Sequence, residues 1–219
     1  MKKYIEILKR NQLFSGVSEE NIEAMLNCLS ATFKDYKKGE YIFRQGEYIE
    51  NICILISGCV HIQSDDYWGN RSIISEVSSS EMFGESYAVH GSSAVLNDAV
   101  ATADSTVAFF NVKRLMTVCS SACTFHSTVI QNLLIALTHK NRNLMQKLTH
   151  ISKRTTREKL ISYLSNQSKL AKSNSFSIPF NRQQLADFLS VDRSAMSNEL
   201  CKMRDEGLII FEKSNFTLL

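Results

Sequence analysis

At 219 residues, with 44% hydrophobic and 21% charged side chains, the chain has the composition of a soluble globular protein and enough length for one large or two small domains. No segment approaches the roughly 18 consecutive apolar residues of a membrane span. The opening MKKYIEILKRNQLF lacks the apolar core and small-residue cleavage site of a signal peptide, so a cytoplasmic protein is expected. The net charge of +3 is unevenly spread: residues 1–122 hold 11 Lys+Arg against 15 Asp+Glu, and residues 123–219 hold 14 against 7. A basic C-terminal third suits a polyanionic partner.

Residues 1–30 read as helical, with Ile22, Met25, Leu26 and Leu29 at helical spacing and Ser18 as N-cap. From Phe33 the period shortens. Gly39, Gly46 and Gly58 bracket short apolar runs such as Tyr41–Phe43 and Ile52–Ile56, the pattern of a small antiparallel barrel or jelly roll. Residues 65–70 form a hairpin loop before a strand at Ser72–Val77. Residues 91–98 are loop-like, and Val100–Val112 resumes strand character.

Beyond Lys113 the pattern is helical for nearly forty residues. Ile130, Leu134, Leu137, Asn141, Leu144, Leu148 and Ile151 are spaced 4, 3, 4, 3, 4, 3, the a/d seam of a two-stranded coiled coil. An isolated amphipathic helix would drift off this strict period, so the seam points to a homodimer. Asn141 alone is polar there, the kind of residue that fixes register and strand number. A basic hinge at 153–157 follows, with Thr155 or Thr156 able to cap the next helix, and Ser165–Ser177 is polar and linker-like.

Phe180–Gly207 reads as two short helices joined by a tight turn. Asn181 and Gln184 make a capping-box pair; Leu185, Ala186 and Leu189 share one face. Asp192 caps the second helix, in which Met196, Leu200 and Met203 form a buried stripe and Gly207 is the stop. Its other face offers Arg193, Ser194, Ser197 and Asn198 near the helix N-terminus. That is the layout of a helix-turn-helix entering a DNA major groove, and Arg, Asn and Ser are suitable readers of base edges. An ordinary helical hairpin is the competing reading. Leu208–Phe211 and Phe216–Leu219, around Lys213-Ser214-Asn215, complete a wing hairpin.

The six cysteines (28, 53, 59, 119, 123, 201) contain no CxxC pair. Cys119 and Cys123 are four apart, compatible with a metal or redox pair or with small buried apolar side chains in a reducing compartment. No nucleophile–base pair, metal-ligand cluster or phosphate loop suggests an enzyme.

The glycine-punctuated YKKGEYIFRQGE (36–47) and ILISGCV (54–60), the tripeptide Phe83-Gly84-Glu85, and RQQLADFLSVDRSAMSNELCKMRDEGLI (182–209) together resemble the Crp/Fnr family of bacterial transcription regulators. The resemblance covers essentially the whole chain. It implies an α+β protein: a cyclic-nucleotide-binding-like antiparallel β-barrel or jelly-roll sensor domain (1–120), a long coiled-coil dimerisation helix (121–152) and a C-terminal winged helix-turn-helix (153–219). It also implies a cytoplasmic homodimer on a near-palindromic double-stranded operator, with RNA polymerase as a partner.

By this resemblance Arg193, Ser194 and Asn198, with Ser197 between them, occupy the base-contacting positions, and Arg182 and Lys202 are expected on phosphates. The family often has Glu at Ser194 and Arg at Asn198, so its usual half-site does not carry over. Ser190 stands where such turns commonly have glycine. The implied effector pocket comprises Phe83, Gly84, Glu85, Ser86, Val95, Leu96 and Asn97, with Asn141. Nucleotide-binding members place the glutamate on a ribose hydroxyl and, about ten residues on, an arginine on the cyclic phosphate. Here residues 93–98 contain no basic residue. A buried phosphate without its cation is heavily penalised, so cyclic AMP or GMP is disfavoured, and an uncharged small molecule or no ligand fits better. The cofactor is left unassigned: haem through His90, His61 or Cys119 is a further alternative, as is a redox or small-molecule sensor acting mainly through protein contacts.

Overall fold

The computed structural model describes residues 2–65, 67–68, 71–117 and 124–219. The chain divides into two units, Met1–Thr138 and His139–Leu219. In the first, α1 (Lys2–Arg10), a 3-10 turn (Gln12–Phe14) and α2 (Glu19–Cys28) precede the strands. Ser18 caps α2 as expected, its Oγ accepting the Asn21 amide at 3.3 Å.

Eight strands form two antiparallel four-stranded sheets. One runs β1 (Thr32–Tyr36), β8 (Ser105–Asn111), β3 (Asn51–Ser57), β6 (Met82–Phe83). The other runs β2 (Tyr41–Phe43), β7 (Asp98–Ala101), β4 (Val60–Asp65), β5 (Arg71–Val77). The architecture is thus a jelly roll of two sheets, not a closed barrel. The apolar run expected as strand from Val100 is interrupted at residues 102–104, and its halves, β7 and β8, join opposite sheets.

Strands β3 and β8 are buried on both faces, with the period of two dividing their side chains between two cores. Cys53, Leu55 and Val107 point into the roll beside Tyr36, Phe43, Val60, Val77, Phe83 and Val95. Ile52, Ile54, Ile56, Ala108 and Phe110 point outward into a helical layer of Leu8, Leu13, Phe14, Ile22 and Met25. Two more helices, α3 (Glu85–His90) and α4 (Val112–Met116), flank the strands. The long α5 (Thr124–Ile151) adds Val129, Leu133 and Ala136 to that layer. Asn132, buried in α5, donates to the carbonyls of Leu13 and Ser15 at 3.0 and 2.7 Å, fixing α5 against the N-terminal segment.

In the second unit α6 (Thr156–Ala171) opens with Thr155 as N-cap, the capping box completed by Glu158. The expected linker at Ser165–Ser177 is overturned: α6 continues to Ala171, and Ser175–Ser177 is a strand, β9. The exposed polar face of α6 mimics a linker, while its other face sends Leu160, Tyr163 and Leu164 into the core. Then come α7 (Arg182–Leu189), α8 (Arg193–Asp205), β10 (Ile209–Glu212) and β11 (Asn215–Leu218). The wing sheet has order β10-β11-β9, so the hairpin read from the sequence gains a third strand.

Candidate nucleic-acid interface and sensor pocket

The two short helices meet at a turn that the sequence specifies closely. Asn181 and Gln184 form the full capping box at the start of α7. Ser190 adopts the left-handed conformation (φ +52°) that ends α7, at the position where glycine would be unstrained. Lys159 of α6 holds this turn, its Nζ 3.2 Å from the carbonyl oxygens of both Leu189 and Ser190. Sequence reasoning missed Lys159, because its partners lie 30 and 31 residues away.

Asp192 caps α8, its Oδ1 accepting from the Ala195 amide at 2.8 Å and the Ser194 hydroxyl at 2.5 Å. These hydrogen bonds hold the Asp192 carboxyl below its ordinary pKa. Met196, Leu200 and Met203 are buried together with Leu185, Ala186 and Leu189. The opposite face leaves Arg193, Ser194, Asn198 and Lys202 exposed and Ser197 half-buried, its hydroxyl donating to the Arg193 carbonyl at 2.9 Å. Arg193 and Asn198 make no side-chain hydrogen bond among the described residues, so their polar ends are available. Cys201, also exposed, lies seven residues after Ser194 on the same face. The acidic residues of α8 and its C-cap are occupied elsewhere: Arg157 pairs with Glu199 at 3.3 Å and with Glu206, and Asp205 pairs with Arg204 at 2.9 Å.

Beside α8 lies an open concavity of about 460 Å³ lined by Asn181, Arg182, Gln183, Arg193, Lys213 and Ser214. Three cationic side chains, the N-terminus of α7 and the turn of the wing converge on it. Arg182 stacks on the wing, its guanidinium 4.8 and 5.2 Å from the ring centres of Phe211 and Phe216, and burial lowers its pKa. Lys213 was read from the sequence only as a turn residue; here it is part of a basic wall.

In the first unit Phe83 and Val95 are buried in the roll. Gly84 has φ +75° and sits so close to Ile49 and Phe43 that an added Cβ would lie 3.0 and 3.4 Å from their side chains. Glu85 is buried, Ser86 and Leu96 are exposed, and Asn97 is half-buried. Val95 joins this wall through backbone hydrogen bonds, its amide donating to Glu47 and its carbonyl accepting from Gly46, both at 2.8 Å. Burial and the nearby Glu85 push the Cys53 thiol pKa up. Asn141, grouped with this pocket from the sequence, belongs to the second unit.

Of the histidines weighed for haem, His90 is exposed and lies 2.8 Å from the Ser92 hydroxyl, and His61 lies 3.1 Å from Glu76. Cys119 and Cys123 lie outside the described residues. Along α5, Leu134, Leu144 and Leu148 are 58, 62 and 53% exposed; Ile130, Leu137 and Ile151 are half-buried, and Asn141 is exposed.

A jelly roll with a Phe-Gly-Glu turn, a long helix and a winged helix-turn-helix define a two-domain regulator of transcription. Comparison with known proteins agrees. The family "Cyclic nucleotide-binding domain" matches residues 33–122, and "Crp-like helix-turn-helix domain" matches residues 158–219. The "CRP-like cAMP-activated global transcriptional regulator" of Mycobacterium tuberculosis is 34% identical over 80 residues, 36% of this chain. The match spans only 35% of that relative's length. In fold, the chain resembles the Thermus thermophilus catabolite activator protein (TM-score 0.56, 20% identity, 95% of this chain and 94% of that one). It also resembles the c-di-GMP-responsive regulator CLP of Xanthomonas campestris (TM-score 0.59, 17% identity, 92% and 99%). The chain belongs to the Crp/Fnr family of transcription regulators.

Proposed function

We propose that the protein is a homodimeric, sequence-specific DNA-binding regulator, acting in the cytoplasm with RNA polymerase as a partner. The observation that carries this is the exposed N-terminal face of α8 beside a concavity holding Arg182, Arg193 and Lys213. Arg193, Ser194 and Asn198 read base edges, with Ser197 behind them, while Arg182, Lys202 and Lys213 meet phosphates. Ser194 already donates its hydroxyl proton to Asp192, so toward a base it serves as an acceptor. The exposed Leu134, Leu144 and Leu148, with Ile130, Leu137, Asn141 and Ile151, supply the dimer seam. Two reading helices then fall about one helical turn apart on a near-palindrome.

The effector differs in kind from that named for the mycobacterial relative. The absence of a basic residue from the segment 93–98, beside the buried Phe83 and Val95, favours an uncharged small molecule in the pocket bounded by Phe83, Gly84 and Val95. Such a ligand shifts the population between reading and non-reading states.

Selection of sites from a random duplex library, followed by titration of the enriched duplex, tests the DNA-binding reading. A near-palindrome should emerge, and affinity should fall steeply with salt. Arg193→Ala should cost about 1–3 kcal/mol and relax preference at one base pair per half-site. Unchanged binding by that variant would overturn the assignment of the reading face.

A further inference from the structure

On the second sheet of the roll, the side chains of Cys59, His61 and Glu76 converge. One ligand atom from each (thiol, imidazole and carboxylate) lies within 4.8 Å of the other two. His61 Nε2 and Glu76 Oε2 are 3.1 Å apart. The alternation along the strand places the group: Val60 and Val77 face the interior of the roll, so Cys59, His61 and Glu76 face the other way. His61 and Glu76 are directly opposite in the β4–β5 register, and Cys59 precedes His61 by two residues.

We propose that these three residues form a binding site for a borderline-soft divalent metal ion of the Zn²⁺ type. Thiolate, imidazole and carboxylate are the ligand types such an ion takes, and three protein ligands leave a fourth position for water. Zn–S and Zn–N bonds of about 2.3 and about 2.0 Å put neighbouring ligand atoms of a tetrahedron roughly 3.3–3.6 Å apart. The His61–Glu76 pair, at 3.1 Å, is already near this spacing, and the Cys59 thiol lies within 4.8 Å of both.

The backbone beneath the site is fixed. The Cys59 carbonyl accepts from the Thr102 amide at 2.9 Å, the Thr102 hydroxyl at 3.2 Å and the Ser105 hydroxyl at 3.3 Å. Its amide lies 3.2 Å from Ser105 Oγ. Gly58, at φ +95°, passes so close that a Cβ would fall 2.1 Å from Ser105 Oγ and 2.6 Å from the Asp104 carbonyl oxygen, so a bulkier residue there would have to displace the turn. Ligands on a strand and a pinned turn suffer less loss of freedom on binding than ligands on a free loop.

The test uses the full chain, stripped with chelator under reducing conditions and titrated with Co²⁺. One equivalent should bind with a thiolate-to-cobalt charge-transfer band and intense tetrahedral d–d absorption, both abolished by adding Zn²⁺. Cys59→Ser should remove the charge-transfer band, and His61→Gln and Glu76→Gln should each weaken binding at least about tenfold. Cys201→Ser and the Cys119→Ser/Cys123→Ser double variant should leave both bands intact. No stoichiometric binding by the parent chain, showing only a His61–Glu76 hydrogen bond, overturns the proposal. So does a band that survives Cys59→Ser or is lost in the double variant. Circular dichroism checks folding; should Cys59→Ser fail to fold, unchanged affinity in His61→Gln and Glu76→Gln overturns the site. Neither result bears on DNA binding.

Discussion

The hydroxyl of Tyr163 is buried without a hydrogen-bond partner among the described residues, and burial pushes its pKa up to about 12. The ring, by contrast, is fully engaged, edge-on to His150 at 5.7 Å and tilted against Phe188 at 5.5 Å. Removing an unsatisfied buried hydroxyl while keeping the ring should cost nothing and can gain up to about 1 kcal/mol. Tyr163→Phe is therefore expected to hold or raise the thermal midpoint of the C-terminal unit. A fall of several degrees would show that the hydroxyl has a partner. Its neighbour His150 is buried, with Nδ1 2.7 Å from the Ser162 hydroxyl. Burial first, then Lys153, lowers its pKa below the ordinary 6.5. The unfolded chain therefore takes up this proton first as pH falls. The stabilising contribution is complete above about pH 6.5, declines below it, and is gone once the pH passes the folded value. Thermal melts across that window should show a loss that His150→Gln largely removes, whereas the lowered pKa values of Asp192 and Glu206 act in the carboxylate range.

At the level of elements, α5 presents two stripes. Val129, Leu133 and Ala136 pack against the N-terminal helices, while Leu134, Leu144 and Leu148 are left exposed. Leu144→Glu should convert the proposed dimer to monomer and abolish operator binding, while leaving the roll folded. Sedimentation at micromolar concentration checks this, and an unchanged dimer would move the interface elsewhere. The elements themselves were largely legible in the sequence, because capping residues and turn conformers act within a few positions: Asn181 with Gln184, Ser18, Thr155 and the stop at Ser190. What escaped were features decided by distant partners. The last turns of α6 read as linker because the helix buries Leu160, Tyr163 and Leu164 but no apolar residue beyond them, so nothing in the pattern marks its continuation to Ala171 and the left-handed C-cap at Lys172. The Cys59–His61–Glu76 group was illegible for a related reason. Glu76 meets His61 across 15 residues in a register that includes a bulge between Ile62 and Gln63, and a one-residue slip would turn Glu76 to the other face.

For the molecule as a whole, the sequence pointed to a jelly roll, a heptad stripe and a winged helix-turn-helix, but not to any effector. Charge is why the reader was plainer than the pocket. A DNA site announces itself by Arg and Lys against a uniform polyanion, and the basic bias of residues 123–219 is visible without coordinates. An apolar pocket uses the same residue types as an ordinary core, so Phe83 and Val95 look alike in either role.

Strands β3 and β8 have core on both sides. Cys53, Leu55 and Val107 lie on one side, and Ile52, Ile54, Ile56, Ala108 and Phe110 on the other. Such a partition, one residue thick, should transmit volume changes like a diaphragm. Packed interiors compress little, so volume added inside the roll must emerge as displacement in the layer that holds Val129, Leu133 and Ala136 of α5. Leu55→Phe mimics that swelling without a ligand. It should shift the methyl resonances of Val129 and Leu133, whereas Ile73→Ala on the exposed strand β5 should leave them in place. The roll then needs no hinge of its own to report on its contents, because its wall is already part of the helical layer it would move.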